Sequence, residues 1–448
     1  MVEKNKLILQ KNQKYIVKIV DLGSNGEGIA KIDGFTVFVP FAIIGEEVEI
    51  LIVLVKKDFA IGKILNIIKQ DSSRVEAPCP YFTKCGGCQL QHINYADQLT
   101  YKQNFVQNCL KKYANISTEK VLPCVDSNRE YYYRNKFSFP IGLENGRVVV
   151  GMYRTASHKL VPIKKCMIQE IGEDIIAAFE DYANKFNIKV YDEESKTGVK
   201  HLVCRNFDDK ILLSIVCTEK LQNLQYLYDL LIKNHKFVNI LVNINKKHNN
   251  VILGDKDYLF AGADYLDIEE YGIKYQINNH SFMQVNNEVK HKLYDMVLQN
   301  ISKDDIVVDA YSGAGVLSAI MAQKCKQVYG IEIVKPAVDS AQQLAKENNI
   351  QNLKSICGDC AVELPKMIAK LKDFVVVLDP PRKGCDAKVI DALNQSKPQK
   401  IIYVSCNPAT LARDLNLLKE NYELISATPF DMFPQTANVE TVAILNLK

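Results

Sequence analysis

Hydrophobic and polar positions divide the chain into three segments with different patterns. From residue 272 to 448, short apolar runs such as "DIVVDAY", "FVVVLD" and "KIIYVSC" alternate with longer stretches of helical periodicity such as "KPAVDSAQQLAKENN". Continuous apolar strands separated by helices predict an α/β fold with a parallel, doubly wound sheet. The carboxyl ends of such strands share one edge, and ligands bind there.

The first two segments have other patterns. Residues 1–70 contain short β-branched runs broken by "GSNGEG", "IDGF" and "IIGEE", which predicts a small OB-like barrel that either binds RNA or serves as a spacer. Residues 71–271 open with clustered cysteines and a helical stretch, "YADQLTYKQNFVQNCLKKYA", followed by strand-like runs such as "KILLSIVC". We expect a central α+β domain there.

Composition narrows the class of protein only slightly. The chain has 448 residues, 47% of them apolar, and a net charge of +4, which neither requires nor excludes a nucleic-acid partner. No apolar run approaches a membrane span, and the polar start "MVEKNKLILQ" has no signal-peptide core, so we expect a cytoplasmic protein. Thirteen cysteines in a chain of this size argue against a disulfide framework, so most thiols should be reduced.

A glycine-rich turn marks the nucleotide end of the predicted sheet. In "VVDAYSGAGVLS", Gly313 and Gly315 permit a tight turn and a close approach of ligand to backbone. Glu332 ends the next strand, where a carboxylate can accept both ribose hydroxyls, and Asp359 ends the following one, where it could meet an adenine amine. This pattern suits NAD and S-adenosylmethionine equally.

Two further strand ends carry candidate site residues: the first favours S-adenosylmethionine over NAD, and the second provides a possible nucleophile. "LDPPRKG" places Asp379 before two prolines, and such a rigid loop suits a planar base held beside a methyl donor. Cys406 ends the next strand, "YVSC", and Glu440 precedes the last one. A thiol with a general base nearby is the arrangement of covalent catalysis.

This set of groups matches one difficult reaction. Carbon 5 of uracil is a poor nucleophile, but a thiolate that adds to C6 makes C5 carbanion-like and able to accept an activated methyl group. A base must then remove the C5 proton so that the thiolate can leave. The target base has to be flipped out of its stack. Asp379 could also hydrogen-bond the uracil edge.

With these motifs the chain resembles the RNA uracil-5-methyltransferases, specifically the ribosomal-RNA branch with a TRAM domain and an iron–sulfur cluster. "FMQVN", "DAYSGAG", "GIEI", "LDPPRKG", "YVSCNPATLARDL" and "FPQTANVETV" occur in the family's order over nearly the whole length. The resemblance implies that S-adenosylmethionine is contacted by Gln284, Tyr311, Glu332 and Asp379. It also implies that Cys406 is the nucleophile and that Glu440 accepts the proton.

The resemblance leaves the target open. Asn438 stands where the family has a His two residues before the base, which puts the role of that His in doubt. Arg382 follows the prolines where adenine-methylating enzymes have an aromatic residue, which favours uracil. We expect a specific uridine of 23S ribosomal RNA as the substrate and a monomeric enzyme. The alternatives are uridine 54 of transfer RNA and a non-catalytic RNA-binding protein.

The cysteine cluster predicts a metal centre. Cys79, Cys85 and Cys88 follow C-x5-C-x2-C spacing, and Cys166 is the best fourth ligand, ahead of Cys109 and Cys124. Four thiolates bind zinc or an iron–sulfur cluster equally well. The family resemblance implies a [4Fe–4S] cluster with a structural role.

An aromatic and basic stretch lies between the cysteines. "REYYYRNKFSF" combines rings with Arg134 and Lys136, a combination that can stack on unpaired bases and pair with phosphates. The alternative is a strand with a half-buried aromatic face.

Overall fold

The computed structural model describes residues 9–448, so the first eight residues of the predicted 1–70 segment lie outside the described residues. The N-terminal sheet has strand order β1-β5-β6-β4-β3-β2. Its strands are β1 (Lys14–Lys18), β2 (Asp21–Leu22), β3 (Gly28–Ile32), β4 (Phe35–Val39), β5 (Glu47–Val55) and β6 (Phe59–Lys69). The chain passes from β1 to β2, the two end strands of this order, through only two residues, so the sheet curls around an apolar interior.

The middle of the chain forms a seven-stranded sheet, with order β13-β12-β11-β10-β7-β8-β9, and three helices. Its strands are β7 (Lys136–Glu144), β8 (Arg147–Tyr153), β9 (Leu160–Pro162), β10 (Val199–Phe207), β11 (Lys210–Cys217), β12 (Phe237–Ile244) and β13 (Lys256–Ala261). The helices are α1 (Tyr95–Ala114), α2 (Glu173–Lys185) and α3 (Leu224–Leu231), and a 3-10 turn covers Thr118–Lys120.

A β-hairpin connects the central and C-terminal sheets. It pairs β14 (Tyr265–Glu270) with β15 (Ile273–Asn278), and its apolar side chains pack in the core of the C-terminal sheet. The predicted boundary after residue 271 falls in the turn between these strands, so a boundary before Tyr265 keeps the pair together. Helix α1 also packs against the C-terminal core, through Val106 and Leu110, although the sequence pattern places it in the central segment.

The C-terminal sheet has seven strands in the order β18-β17-β16-β19-β20-β22-β21. The strands are β16 (Ile306–Ala310), β17 (Gln327–Glu332), β18 (Leu353–Cys357), β19 (Phe374–Leu378), β20 (Lys400–Ser405), β21 (Tyr422–Phe430) and β22 (Glu440–Leu447). The helices are α4 (Asn287–Gln299), α5 (Val316–Ala322), α6 (Lys335–Glu347), α7 (Cys360–Ile368), α8 (Ala387–Ser396) and α9 (Pro408–Leu418).

Helices cover both faces of this sheet, as expected from its continuous apolar strands. Alternate residues of one strand face opposite cores: Val308 packs with α7, α8 and α9, whereas Val307 packs with α4, α5 and α6. The expectation of a parallel sheet is wrong for one strand, β22, whereas β21 keeps the direction of the parallel strands. β22 runs antiparallel to β20 and to β21, because a short connection joins β21 to β22 without a crossover helix. Within residues 9–448, no helix is both long and apolar enough to cross a bilayer.

Candidate active site

The candidate site lies along the carboxyl edge of the C-terminal sheet. Strand register brings the ends of its central strands together, since Ala310 pairs with Leu378 and Leu378 with Tyr403. The residue after each of these strands therefore points into the same region. The backbone N–H of Asp379 also bonds to Ala310 C=O at 3.3 Å, which holds the start of the "DPPRKG" loop against the glycine-rich turn.

A cavity at this edge gathers several of the predicted cofactor residues. Gln284, Tyr311, Gly313 and Asp379 all line it, together with the buried carboxyl of Asp309. Burial raises the pKa of Asp379 to about 7, and it raises the pKa of Asp309 to about 7 as well. A cavity with such carboxyl groups at its base suits a ligand that carries positive charge, as a sulfonium does.

The two glycines of the turn have different roles. Gly313 has φ +55° and open space where a Cβ would stand, so its backbone faces the cavity freely. Gly315 has φ +76°, and a Cβ there would lie 2.6 Å from the Cβ of Ala341 on α6. Gly313 therefore allows a ligand to approach, whereas Gly315 allows α5 and α6 to pack. Tyr311, at φ 70°, is a non-glycine residue in the same left-handed region.

The acids at the ends of β17 and β18 are placed differently. One carboxylate oxygen of Glu332 accepts the Gly313 N–H at 3.0 Å, and the other accepts the Val334 N–H at 2.8 Å. Glu332 thus lies beside the cavity. Asp359 is exposed, and its carboxylate accepts the Ala361 N–H at 2.9 Å, which caps α7. Its contact with an adenine amine stays a prediction.

Antiparallel pairing sets Cys406 opposite Glu440. Ser405 pairs with Thr441 across β20 and β22, so the next position on one strand faces the preceding position on the other. Glu440 is buried, with 5% of its surface exposed, whereas Cys406 is half-buried and open to ligand. The sequence places these residues in one cleft, but only this register makes them neighbours.

Burial and neighbouring charges shift the ionisation of both groups. Burial, with the carboxylates of Glu440 and Asp379, raises the pKa of the Cys406 thiol to about 11. Burial and Asp379 raise the pKa of Glu440 to about 8. The guanidinium of Arg382 opposes both shifts. The sequence pattern uses Arg382 only as a sign against adenine, although its position directly after the prolines marks it as a candidate site residue.

The "DPPRKG" loop is fastened to helix α9 by polar residues of "NPATLARDL". Asn407 Nδ2 and Thr410 Oγ1 donate to Arg382 C=O at 3.1 and 3.3 Å, and Arg413 Nη2 donates to Lys383 C=O at 3.0 Å. The buried carboxylate of Asp414 accepts the Cys385 N–H at 2.9 Å and the Tyr403 hydroxyl at 2.7 Å. These bonds fix the position of Arg382 relative to Cys406.

The predicted metal ligands lie around a second cavity. Cys79, Cys85, Cys88 and Cys166 all line a space of about 200 Å³. Cys109 is buried in the face of α1 that packs on the C-terminal core, away from this space. Burial raises the pKa of Cys88 to about 12 and that of Cys166 to about 11, so these thiols ionise only beside a cation. Within residues 9–448, no three His, Cys, Asp or Glu side chains are arranged to hold a metal ion as they stand.

The stretch "REYYYRNKFSF" is largely structural. Phe137 and Phe139 are buried and stack with centroids 4.4 Å apart, and Tyr133 is buried with its hydroxyl donating to Pro434 C=O at 3.0 Å. Tyr132 is 45% exposed. The half-buried aromatic face is therefore the better description, and Tyr132 remains available for a base.

The fold and the cavity are those expected of an S-adenosylmethionine-dependent methyltransferase. The model of the tRNA (Uracil-5-)-methyltransferase family matches residues 94–448, and the model of the TRAM domain matches residues 9–65. The chain therefore belongs to the tRNA (uracil-5-)-methyltransferase family and carries an N-terminal TRAM domain. Family membership makes it an RNA methyltransferase.

Known relatives match the chain over almost its full length. It is 40% identical to an uncharacterized RNA methyltransferase of Clostridium tetani, over 99% of this chain and 98% of the relative. It is 39% identical to an uncharacterized RNA methyltransferase of Halalkalibacterium halodurans, over 98% of each chain. The solved structure of Pyrococcus abyssi tRNA (uracil-54, C5)-methyltransferase, in complex with S-adenosyl-L-homocysteine, has a TM-score of 0.78 and 25% identity. It covers 96% of this chain and 100% of its own.

Proposed function

We propose that this protein methylates C5 of a specific uridine in 23S ribosomal RNA through a transient bond between Cys406 and the uracil ring. The observation that carries the proposal is the position of a half-buried thiol directly across from the buried carboxyl of Glu440. Asp379 adjoins both this pair and the cofactor cavity.

The residues around the cavity fit S-adenosylmethionine. Gln284, Tyr311 and Gly313 would surround it, and Glu332 would accept its ribose hydroxyls while staying bonded to the turn. When bound, the cofactor supplies an electrophilic methyl group. The carboxyl groups of Asp309 and Asp379 line the same cavity and favour the positively charged donor over its neutral product.

The remaining chemistry belongs to the chain and its RNA. The Cys406 thiol loses its proton to water and Sγ adds to C6 of the flipped uracil. The electron pair that develops at C5 would then form the new bond to the methyl carbon as the bond from that carbon to the donor sulfur breaks. Glu440 then accepts the C5 proton, the C5–C6 double bond re-forms, and the thiolate leaves. Arg382 stabilises the thiolate both when it attacks the ring and when it leaves, since its charge lowers the pKa of Cys406.

The RNA target has two candidates. The TRAM domain and the expected cluster favour ribosomal RNA, but the P. abyssi transfer-RNA enzyme matches 96% of this chain, which must include most of the N-terminal sheet. That match favours uridine 54 of transfer RNA as the second candidate. Mapping 5-methyluridine in both RNAs of a deletion strain separates them. Loss from 23S RNA alone supports the proposal, and loss from transfer RNA alone contradicts it.

The cysteine cavity is proposed to hold a [4Fe–4S] cluster. Four thiols around a space of about 200 Å³ offer more room than a single ion needs. Arg134, Ser138, Gln91 and Gln169 also line it, and each has a buried polar atom without a partner in the described part of the chain. The Arg134 Nε–H and the Ser138 hydroxyl can donate to cluster sulfurs or ligating thiolates, whereas the unpartnered atoms of the two glutamines are amide oxygens, which accept. A monomeric state and a cytoplasmic location stay predictions.

A further inference from the structure

The four-cysteine cavity is connected by hydrogen bonds to two of the segments that carry active-site residues. On one side, the N–H groups of Gln89 and Leu90, directly after Cys88, both donate to Gln435 C=O at 3.0 Å. Gln435 belongs to "FPQTANVETV", the loop that leads to Glu440. The cysteine loop therefore lies against the segment that positions the proposed base.

On the other side, the cavity reaches the cofactor pocket through two consecutive residues. The Arg134 N–H donates to Ile168 C=O at 3.0 Å, and Arg134 C=O accepts the Glu170 N–H at 3.0 Å, which ties Arg134 to the segment after Cys166. Asn135 has only 1% of its surface exposed. Its N–H donates to Val285 C=O at 2.9 Å, and its Nδ2 donates to Gln284 C=O at 3.1 Å.

The side chain of Arg134 completes the connection. It lines the cysteine cavity, and its buried Nε–H has no acceptor in the described part of the chain. An unpaired buried donor of this kind destabilises the folded protein, so an acceptor in the cavity would stabilise the side chain. Ligating thiolates and inorganic sulfides are anionic acceptors of the required kind.

We propose that Arg134 and Asn135 are positioning residues that couple the cluster site to the S-adenosylmethionine pocket. Arg134 donates to the sulfur ligands of the cluster, and Asn135 holds the main chain at Gln284. Through these contacts, the reduction potential of a bound cluster would depend on whether the cofactor pocket is occupied. This inference rests on the proposed cluster and goes beyond the methylation reaction, which needs no electron.

Coupling between two sites is reciprocal, so it can be measured from the cluster side without any turnover. The experiment is a spectroelectrochemical titration of the anaerobically purified holoenzyme, with and without saturating S-adenosyl-L-homocysteine. We expect the ligand to shift the reduction potential of the wild-type cluster, and we expect Asn135→Ala to abolish that shift while the cluster stays bound. Arg134→Gln removes a cation and a donor, so the potential itself should become more negative.

Arg129→Gln is the matched control. It removes the same charge from the same stretch, but Arg129 is exposed and pairs with Glu170 outside the cavity. Both the potential and its response to ligand should be unchanged in this variant. The coupling is overturned if S-adenosyl-L-homocysteine does not change the reduction potential of the wild-type cluster, a result that does not depend on whether Asn135→Ala folds. It is also overturned if the ligand shifts the potential of Asn135→Ala as it does that of the wild type. Colourless protein would overturn the cluster as well, whereas brown protein without coupling would overturn this inference alone.

Discussion

The thiol of Cys406 lies beside two carboxyl groups that oppose its ionisation and one guanidinium that favours it. This balance leaves the pKa at about 11, well above that of a free thiol. A resting thiol of this kind resists oxidation and alkylation, because the thiolate is the reactive form. Addition to uracil therefore has to be coupled to loss of the thiol proton, which the Arg382 guanidinium favours.

Replacing Cys406 tests its role as the nucleophile. Cys406→Ser should lower methyl transfer about a thousandfold or more, because a hydroxyl cannot replace the thiolate. Affinity for S-adenosyl-L-homocysteine should stay within about twofold, since the thiol does not line the cofactor cavity. Single-turnover methylation and calorimetry measure the two quantities. Cys325→Ala, at the opposite edge of the sheet, is the control and should leave both unchanged.

The raised pKa of Glu440 predicts a pH dependence. Only the carboxylate can accept the C5 proton, and its population grows as pH rises through about 8. The rate of product formation from a preformed adduct should therefore increase from pH 6 to 9 with a midpoint near 8. Arg382→Ala should move that midpoint upward, because the guanidinium lowers the pKa of Glu440. A rate independent of pH in this range would remove Glu440 from the proton transfer.

Glu440→Gln separates methylation from elimination. The amide cannot take the proton, so turnover should fall by about 10²–10⁴-fold while the methylated adduct with ordinary uridine RNA accumulates. Denaturing electrophoresis with labelled RNA measures the adduct. Asn438→Ala, at an exposed position two residues earlier, is the comparison. If the adduct accumulates in Asn438→Ala and not in Glu440→Gln, Glu440 is not the residue that accepts the C5 proton.

At the level of elements, strand ends could be predicted from the sequence and strand partners could not. "DIVVDAY", "FVVVLD" and "KIIYVSC" are short apolar runs, so their identity and their common edge followed from pattern alone. The pairing of Ser405 with Thr441 depends on β22 running antiparallel, which no periodicity encodes. The same holds for α1, whose amphipathic pattern shows a buried face without showing which core covers it.

The fastening of the "DPPRKG" loop to α9 predicts a stability effect. Asp414→Ala would leave the buried Cys385 N–H and the Tyr403 hydroxyl unpaired. The free energy of unfolding should fall by about 3–5 kcal/mol, as when one partner of a buried polar network is lost. Urea denaturation measures this change. Asp391→Ala on the exposed face of α8 is the control, and an equal loss there would show that Asp414 has no special role.

For the molecule as a whole, the cysteines show what spacing can and cannot reveal. C-x5-C-x2-C identified three of the thiols, and the fourth lies far along the chain at Cys166, which only the fold brings to the same cavity. The polar atoms that line the cavity were not predictable, because residue types such as Gln and Ser usually lie at the surface and nothing in the sequence marks Gln91, Ser138 and Gln169 as buried. Their burial without partners is a property of the tertiary structure.

The cluster predicts a colour and a composition. Anaerobically purified protein should be brown and contain iron and acid-labile sulfide, and Cys88→Ser should lose both. Cys124→Ser, at a thiol that lies closer in sequence than Cys166, should keep both. Colourless protein with bound zinc, or loss of iron in the Cys124 variant, would contradict the ligand set.

The central claim is a covalent bond between one sulfur and one pyrimidine ring, and 5-fluorouridine RNA tests it most directly. Fluorine at C5 cannot leave as a proton, so the enzyme should add, methylate and stop. The account predicts a stable, methylated protein–RNA adduct in the presence of S-adenosylmethionine, with mass spectrometry placing the bond at Cys406 and none forming in Cys406→Ser. Wild-type enzyme that methylates ordinary RNA yet forms no adduct, or an adduct at another cysteine, would contradict it.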